Sequence, residues 1–396
     1  MAAFRPFDEK GAPIEEQAMS WKELVTEPYD KMAVDPHTRT RVILMNGIEN
    51  NATLTKHAIA RTDPNPEVRE ALAIIRRAES MQQQAINWLN PAQQSITETT
   101  LGYEQVAVDL TANLAQNEED PYQKATLDFA LLEDFDHLYR YALLYRQMEG
   151  GDAKEFVKDT VEIKEGRPTR VHHRHPSDEM RRSWDKNTAS PKTKMNYFTI
   201  VSAEQQTELY YKSHGPMFPD ELARGLYTEI ADVEEQHVTQ YESLGDGTMT
   251  PLEMNFLMEV NEAYNYWSCA QTESDPRFRQ FWEAMMRNEI EHVQKAMELL
   301  QRFESKDPVK VLGGDRIDVP ITLKESKDYV NKVLEEQRDF QPYDMEFMPE
   351  QRIPRNWPSF EYRDRLNGDW TPSEVVVSRS EGVKGQEQMA LRAGPR

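Results

Sequence analysis

Apolar residues recur at three- and four-residue spacing along much of the chain, as at Phe281, Met285, Met286, Ile290 and Val293, and this period predicts amphipathic helices. Helix starts carry their own chemistry. Asp120-Pro121 and Asp275-Pro276 each put an N-capping Asp before a proline at the first helical position. Ser95 with Glu98, and Thr250 with Glu253, each fit a capping box ahead of an apolar run. Four helical hairpins can be read between residues 37 and 305, the last two with helices near 195–213, 220–243, 252–272 and 277–304. Residues 150–193 read as a polar linker, and the basic stretch Arg170 to His175 as a flexible loop. The tail after about 306 is interrupted by prolines and predicts one helix near 323–337, wrapping the bundles or mediating contacts.

These signals repeat at an offset of 155 residues without a gap. Ser95 falls opposite Thr250 and Asp120 opposite Asp275. Glu49 falls opposite Glu204, Glu79 opposite Glu234, Glu104 opposite Glu259 and His137 opposite His292. Asp134 lies opposite Glu289, and Gln82 opposite His237. The pattern reads as a tandem duplication. The expected fold is all-α: an extension (1–36), a four-helix bundle (37–149), the linker (150–193), a second four-helix bundle (194–305) and an irregular tail (306–396).

Composition narrows the function classes. The formal net charge is −22, which disfavours nucleic acid, because phosphate binding needs a positive face. No run approaches the roughly 18 apolar residues of a membrane span, and the N-terminus lacks a secretory h-region, so a cytoplasmic protein is expected. The lone cysteine, Cys269, excludes an intramolecular disulfide or a Cys-based metal module and reads as a small core residue.

Glu234-x-x-His237 and Glu289-x-x-His292 each set a carboxylate and an imidazole on one helix face. One such match is weak. Glu204 and Glu259, however, each precede the paired Glu by 30 residues. An antiparallel hairpin brings both members of a pair to one level, about 20 Å from the turn at 1.5 Å per residue. Four carboxylates and two imidazoles are then expected to meet between residues 194 and 305.

This set resembles the ferritin-like superfamily of di-iron and di-manganese carboxylate proteins, such as rubrerythrin and bacterioferritin. The resemblance implies two iron ions, with manganese or a mixed pair as variants. It makes Glu234 and Glu289 bridging ligands, Glu204 and Glu259 terminal carboxylates, and His237 and His292 one imidazole per metal. Glu262, one turn after Glu259, resembles the additional ligand of rubrerythrin-type peroxidases, and Tyr266 is a candidate redox or hydrogen-bonding residue beside it. In the first unit, Glu49, Glu79, Glu104, Asp134 and His137 predict a weak or vestigial second site, because Gln82 replaces an imidazole and Ala107 replaces Glu262. The familiar bundles have a long crossover between second and third helices; here only Ser243 to Pro251 are available, enough when extended to reach roughly 30 Å, and a simple up-down-up-down bundle is the alternative. The expected function is a di-iron oxidoreductase acting with O2 or peroxide as a peroxidase or substrate oxygenase. It would need an external electron donor and a small-molecule substrate, and it allows an oligomer. The alternative is iron binding, ferroxidase action or a metal-stabilised structural protein.

Overall fold

The computed structural model describes residues 3–393, with side chains up to residue 382. Eight helices, joined as four hairpins, form its core. They are α1 (Pro36–Thr62), α2 (Pro66–Asn87), α3 (Ile96–Asn117), α4 (Pro121–Glu149), α5 (Pro191–His214), α6 (Glu221–Glu242), α7 (Pro251–Thr272) and α8 (Pro276–Glu304). The anticipated caps are in place. Asp120 and Asp275 accept backbone N–H bonds from the first turns of α4 and α8, and Ser95 and Thr250 form capping boxes at α3 and α7. Gly150, at φ 72, closes α4 in the left-handed conformation that glycine adopts without strain. Among the described residues, no helix is long and apolar enough to cross a membrane.

The hairpins α1–α2, α3–α4, α5–α6 and α7–α8 pair crosswise. Helix α1 packs on α7 and α2 on α8, while α3 packs on α5 and α4 on α6. Each set of four helices therefore takes one hairpin from each sequence repeat. This corrects the expectation that 37–149 and 194–305 each close a bundle of their own. The reason lies in the connections. Residues 88–95 and 243–250 are too short to cross comfortably over one bundle, and each instead hands the chain to the neighbouring set.

The two sets join where α1 lies along α5. Amides stitch that seam: Asn46 Nδ2 donates to Gln206 Oε1 at 2.9 Å, Gln206 Nε2 to the Ile43 carbonyl at 2.9 Å, and Asn51 Nδ2 to Ser202 Oγ at 3.0 Å. Gly47 permits the approach, because a Cβ there would meet the Gln206 side chain at 2.5 Å.

The ends of the chain cover this core. Phe4 forms a β-bridge with Ile317 and packs on Tyr264 and Trp267. The tail is more ordered than expected. It holds α9 (Lys327–Gln337), an antiparallel hairpin of β1 (Phe340–Tyr343) and β2 (Glu346–Pro349), then α10 (Pro358–Asn367) and α11 (Pro372–Ala393). Pro358 and Pro372, read as interruptions, stand at helix starts, where a missing N–H costs nothing. Helix α11 packs against α4 and α6.

Substituting Gly47→Leu should wedge α1 from α5 and lower stability by about 2 kcal/mol, measured by urea unfolding. An unchanged midpoint would show that the seam does not hold the two sets together.

Candidate metal centre

Crosswise pairing redistributes the expected ligands. Glu204, Glu234 and His237 do not meet Glu259, Glu289 and His292. Two buried clusters form instead, one in each four-helix set, and each draws on both repeats.

In the set α3–α4–α5–α6, ligand atoms of Asp134, Glu204, Glu234 and His237 lie within 4.8 Å of one another, and so do those of Glu104, His137 and Glu234. Glu234 belongs to both groups. Two helices, α4 and α6, each supply an acid and a histidine three residues apart, which a helix places on one face. The other two helices supply Glu104 and Glu204. The weak site expected from Glu104, Asp134 and His137 and half of the strong one thus form a single cluster.

The donor atoms point inward without partners of their own. Both oxygens of Asp134 and of Glu204, Oε2 of Glu104, Oε2 of Glu234 and Nδ1 of His237 are buried and accept or donate no hydrogen bond. Nδ1 of His237 faces Asp134 at 3.3 Å, Glu234 at 3.3 Å and Glu204 at 3.7 Å. Nδ1 of His137 lies 3.1 Å from Glu234. Orphaned buried polar groups cost free energy, and converging anions cost more. A cation among them relieves both, so the residues fit a metal pair.

Outer residues fix this geometry. Nε2 of His237 lies 2.7 Å from Glu133, which leaves Nδ1 to face the cluster. Glu133 is itself gripped by Arg174 at 2.6 Å and Arg167 at 3.3 Å; burial would raise its carboxyl, but the Arg174 guanidinium and the His172 and His237 rings hold it well below the usual range. The middle of the supposed flexible loop is therefore part of the protein interior, while Arg170 and His175 at its ends are exposed. Arg167, His172, His173 and Arg174 are all buried, and the His172 ring sits 5.6 Å from that of His137. Residue-by-residue polarity missed this, because the basic side chains answer carboxylates on another element. On α5, the Tyr211 hydroxyl donates to Glu104, and its ring packs on Tyr141 at 5.1 Å and Tyr227 at 5.6 Å. The same tyrosine lines a cavity of about 700 Å³ bounded also by Arg224, Thr228, Ala231, Leu366 and Trp370.

The second cluster occupies α1–α2–α7–α8. It contains Glu79, Glu259, Glu289 and His292, with Glu49 and Glu262 alongside. Two polar residues enter it. The Lys56 ammonium contacts Glu79, Glu259 at 3.0 Å and Glu262 at 3.3 Å. The Gln82 amide donates to Glu49 at 3.0 Å and to Glu289. Tyr266 donates to Glu49, and Nε2 of His292 lies 2.7 Å from Gln17 Oε1. Glu262 and Tyr266 therefore belong to the Lys56 cluster and lie apart from Glu204, Glu234 and His237. Cys269 is buried, as expected of a core residue.

The chain matches no protein-family model, no curated protein and no solved structure.

Protonation follows from the charge crowding around His237. Burial and neighbouring carboxylates raise Glu104 and Glu204, and burial raises Asp134. Burial would also raise Glu234, but the His137 and His237 rings beside it hold it down at about 2. Burial works against a charged His237, yet Asp134, Glu133 and Glu204 push it well up. Groups raised in the fold contribute stability below their unfolded values and lose it as pH rises through the folded ones. The lowered Glu133 and Glu234 lose theirs only in stronger acid. As pH rises above the ordinary carboxylate range the metal-free fold should therefore weaken, while a bound metal displaces the protons and removes the repulsion. The melting-temperature gain on adding Mn(II) should be larger near pH 8 than near pH 5.5; equal gains would contradict the proton displacement.

Glu133→Gln should leave the fold intact and weaken metal binding by about 10- to 100-fold, read by metal titration, because it loosens His237. Affinity unchanged in Glu133→Gln would remove Glu133 from the site.

Proposed function

We propose that Glu104, Asp134, His137, Glu204, Glu234 and His237 hold a pair of iron ions, or manganese in their place, and that the protein is an oxidoreductase of the ferritin-like di-metal type. The observation that carries this reading is the convergence, from four helices, of four carboxylates and two imidazoles with orphaned inward-facing atoms. Such mixed carboxylate and imidazole donors suit iron or manganese. When bound, the metal pair supplies the redox chemistry with O2 or peroxide that protein side chains lack.

The rest of the work falls to this chain. Glu234 is shared by the two donor groups; His137 approaches it from α4, and His237 from one turn further along α6. Glu133, held by Arg167 and Arg174, keeps the His237 ring in register. Burial on all sides keeps bulk water from the donor atoms.

The neighbouring cavity favours oxidation of an organic substrate over a peroxidase. Its volume matches a drug-sized molecule. Tyr211, wholly buried beneath its wall, donates to Glu104, so one side chain lies between the cavity and the ligand shell. The peroxidase reading leaned on Glu262, which sits beside Lys56 in the other cluster, and the corresponding position here is Ala107. With Cys269 as the lone thiol, electrons come from a separate donor protein or reductant.

Iron-loaded protein given a reductant should consume O2 faster than free iron. His237→Ala should abolish that turnover, and Tyr211→Phe should slow it on the order of tenfold or more. Consumption no faster than free iron, or undiminished in His237→Ala, would defeat the enzyme reading. Uptake that stops once added Fe(II) is oxidised would mark a ferroxidase instead.

A further inference from the structure

The 155-residue offset aligns the two clusters group by group, and four of the differences between them bear on what fills the donor sets. Lys56 stands opposite Tyr211, Gln82 opposite His237, Asn288 opposite Glu133, and Glu262 opposite Ala107. Each substitution has a visible consequence at the centre of the α1–α2–α7–α8 set.

That cluster contains two groups of donor atoms that share Glu289, just as the other contains two that share Glu234. One group is Glu79, Glu259, Glu289 and His292, and two of its carboxylates, Glu79 and Glu259, face the Lys56 ammonium. The other is Glu49, Glu262 and Glu289, and here Gln82 intrudes. Gln82 Oε1 accepts from Asn288 Nδ2 at 2.7 Å, which turns the amide so that its N–H bonds face Glu49 and Glu289. Where His237 presents a ring nitrogen able to carry a lone pair, Gln82 presents donors. Glu133, an acceptor for His237, has become Asn288, a donor to Gln82, so the outer residue changed in step with the inner one.

We infer that Lys56 and Gln82 take the places of two metal ions, making this cluster a latent metal site held closed by its own cation. A buried lysine survives only beside negative charge, and here three carboxylates surround its three donors. A metal bonded at about 2.0–2.2 Å to those oxygens would occupy the space of Nζ, so the two exclude one another. Glu262 fits the same logic. It lies 3.3 Å from Lys56, and where the lysine is replaced by Tyr211 the extra carboxylate is absent. The inference concerns the Lys56 cluster alone and does not depend on turnover at the other one.

The test counts metal in the full chain by native mass spectrometry after loading with Fe(II) under argon and desalting. A Glu234→Ala/His237→Ala background, which removes the carboxylate shared by both donor groups, silences the first cluster, and it should retain no tightly bound iron. Adding Lys56→Met should restore about one ion per chain, and adding Gln82→His about two, because the donor sets are then free. Lys56→Arg keeps the cation and should restore none. Iron retained in the background with Lys56 intact would overturn the inference. So would folded Lys56→Met/Gln82→His protein that gains no metal. If Lys56→Met fails to fold, the smaller step Lys56→Gln, which removes the charge and keeps a polar side chain, takes its place, and folded Lys56→Gln protein that gains no iron overturns the inference. Failure of the proposed function reads out separately, as the absence of iron from the unmutated chain.

Discussion

Buried negative charge is the constraint around which this chain is arranged. Each four-helix set gathers buried carboxylates at or beside its cluster: Glu104, Glu133, Asp134, Glu204 and Glu234 in one, and Glu49, Glu79, Glu259, Glu262 and Glu289 in the other. A helical core tolerates such groups only when they are paired, protonated or bound to a cation. The two sets meet this demand differently. One receives a lysine and an amide. The other has its counter-charges outside the ring of donors, where Arg167 and Arg174 neutralise Glu133 and leave the inner carboxylates facing one another.

Much of the rest follows from that arrangement. The segment carrying Arg167 and Arg174 must be buried to reach Glu133, so it is packed rather than looped out. Helices α10 and α11 then cover it; Arg363 of α10 donates to the His173 carbonyl at 3.5 Å, and the Ser373 carbonyl accepts from Arg140. At the opposite side, the N-terminal segment is drawn in by Gln17, which meets His292. The chain's ends thus act as outer walls for two charged interiors.

Local structure was legible in the sequence, whereas pairing was not. Caps at Ser95, Asp120, Thr250 and Asp275 placed four helix starts, because capping is a contact between near neighbours. The six expected ligands all proved buried, yet Glu204 and Glu259 belong to different clusters. A perfect repeat cannot say which hairpin packs with which, since either pairing brings the same residue types together. The short connection before Pro251 was the available signal: a chain that cannot cross over one bundle can step into the next. Lys56 and Tyr211 carried a signal too, as an ammonium opposite a phenol at one repeat position. It gained meaning only when Glu259 and Glu104 were found beside them. Roles of Glu133, Arg167 and Arg174 depend on contacts across elements, which periodicity does not encode.

The division of labour between the two interiors is tested most directly by anomalous diffraction at the iron edge from crystals of iron-loaded protein. Two peaks are predicted on either side of Glu234, within reach of His137 and His237, with no peak beside Lys56. Peaks flanking Glu289, or an empty space around Glu234, would contradict the assignment.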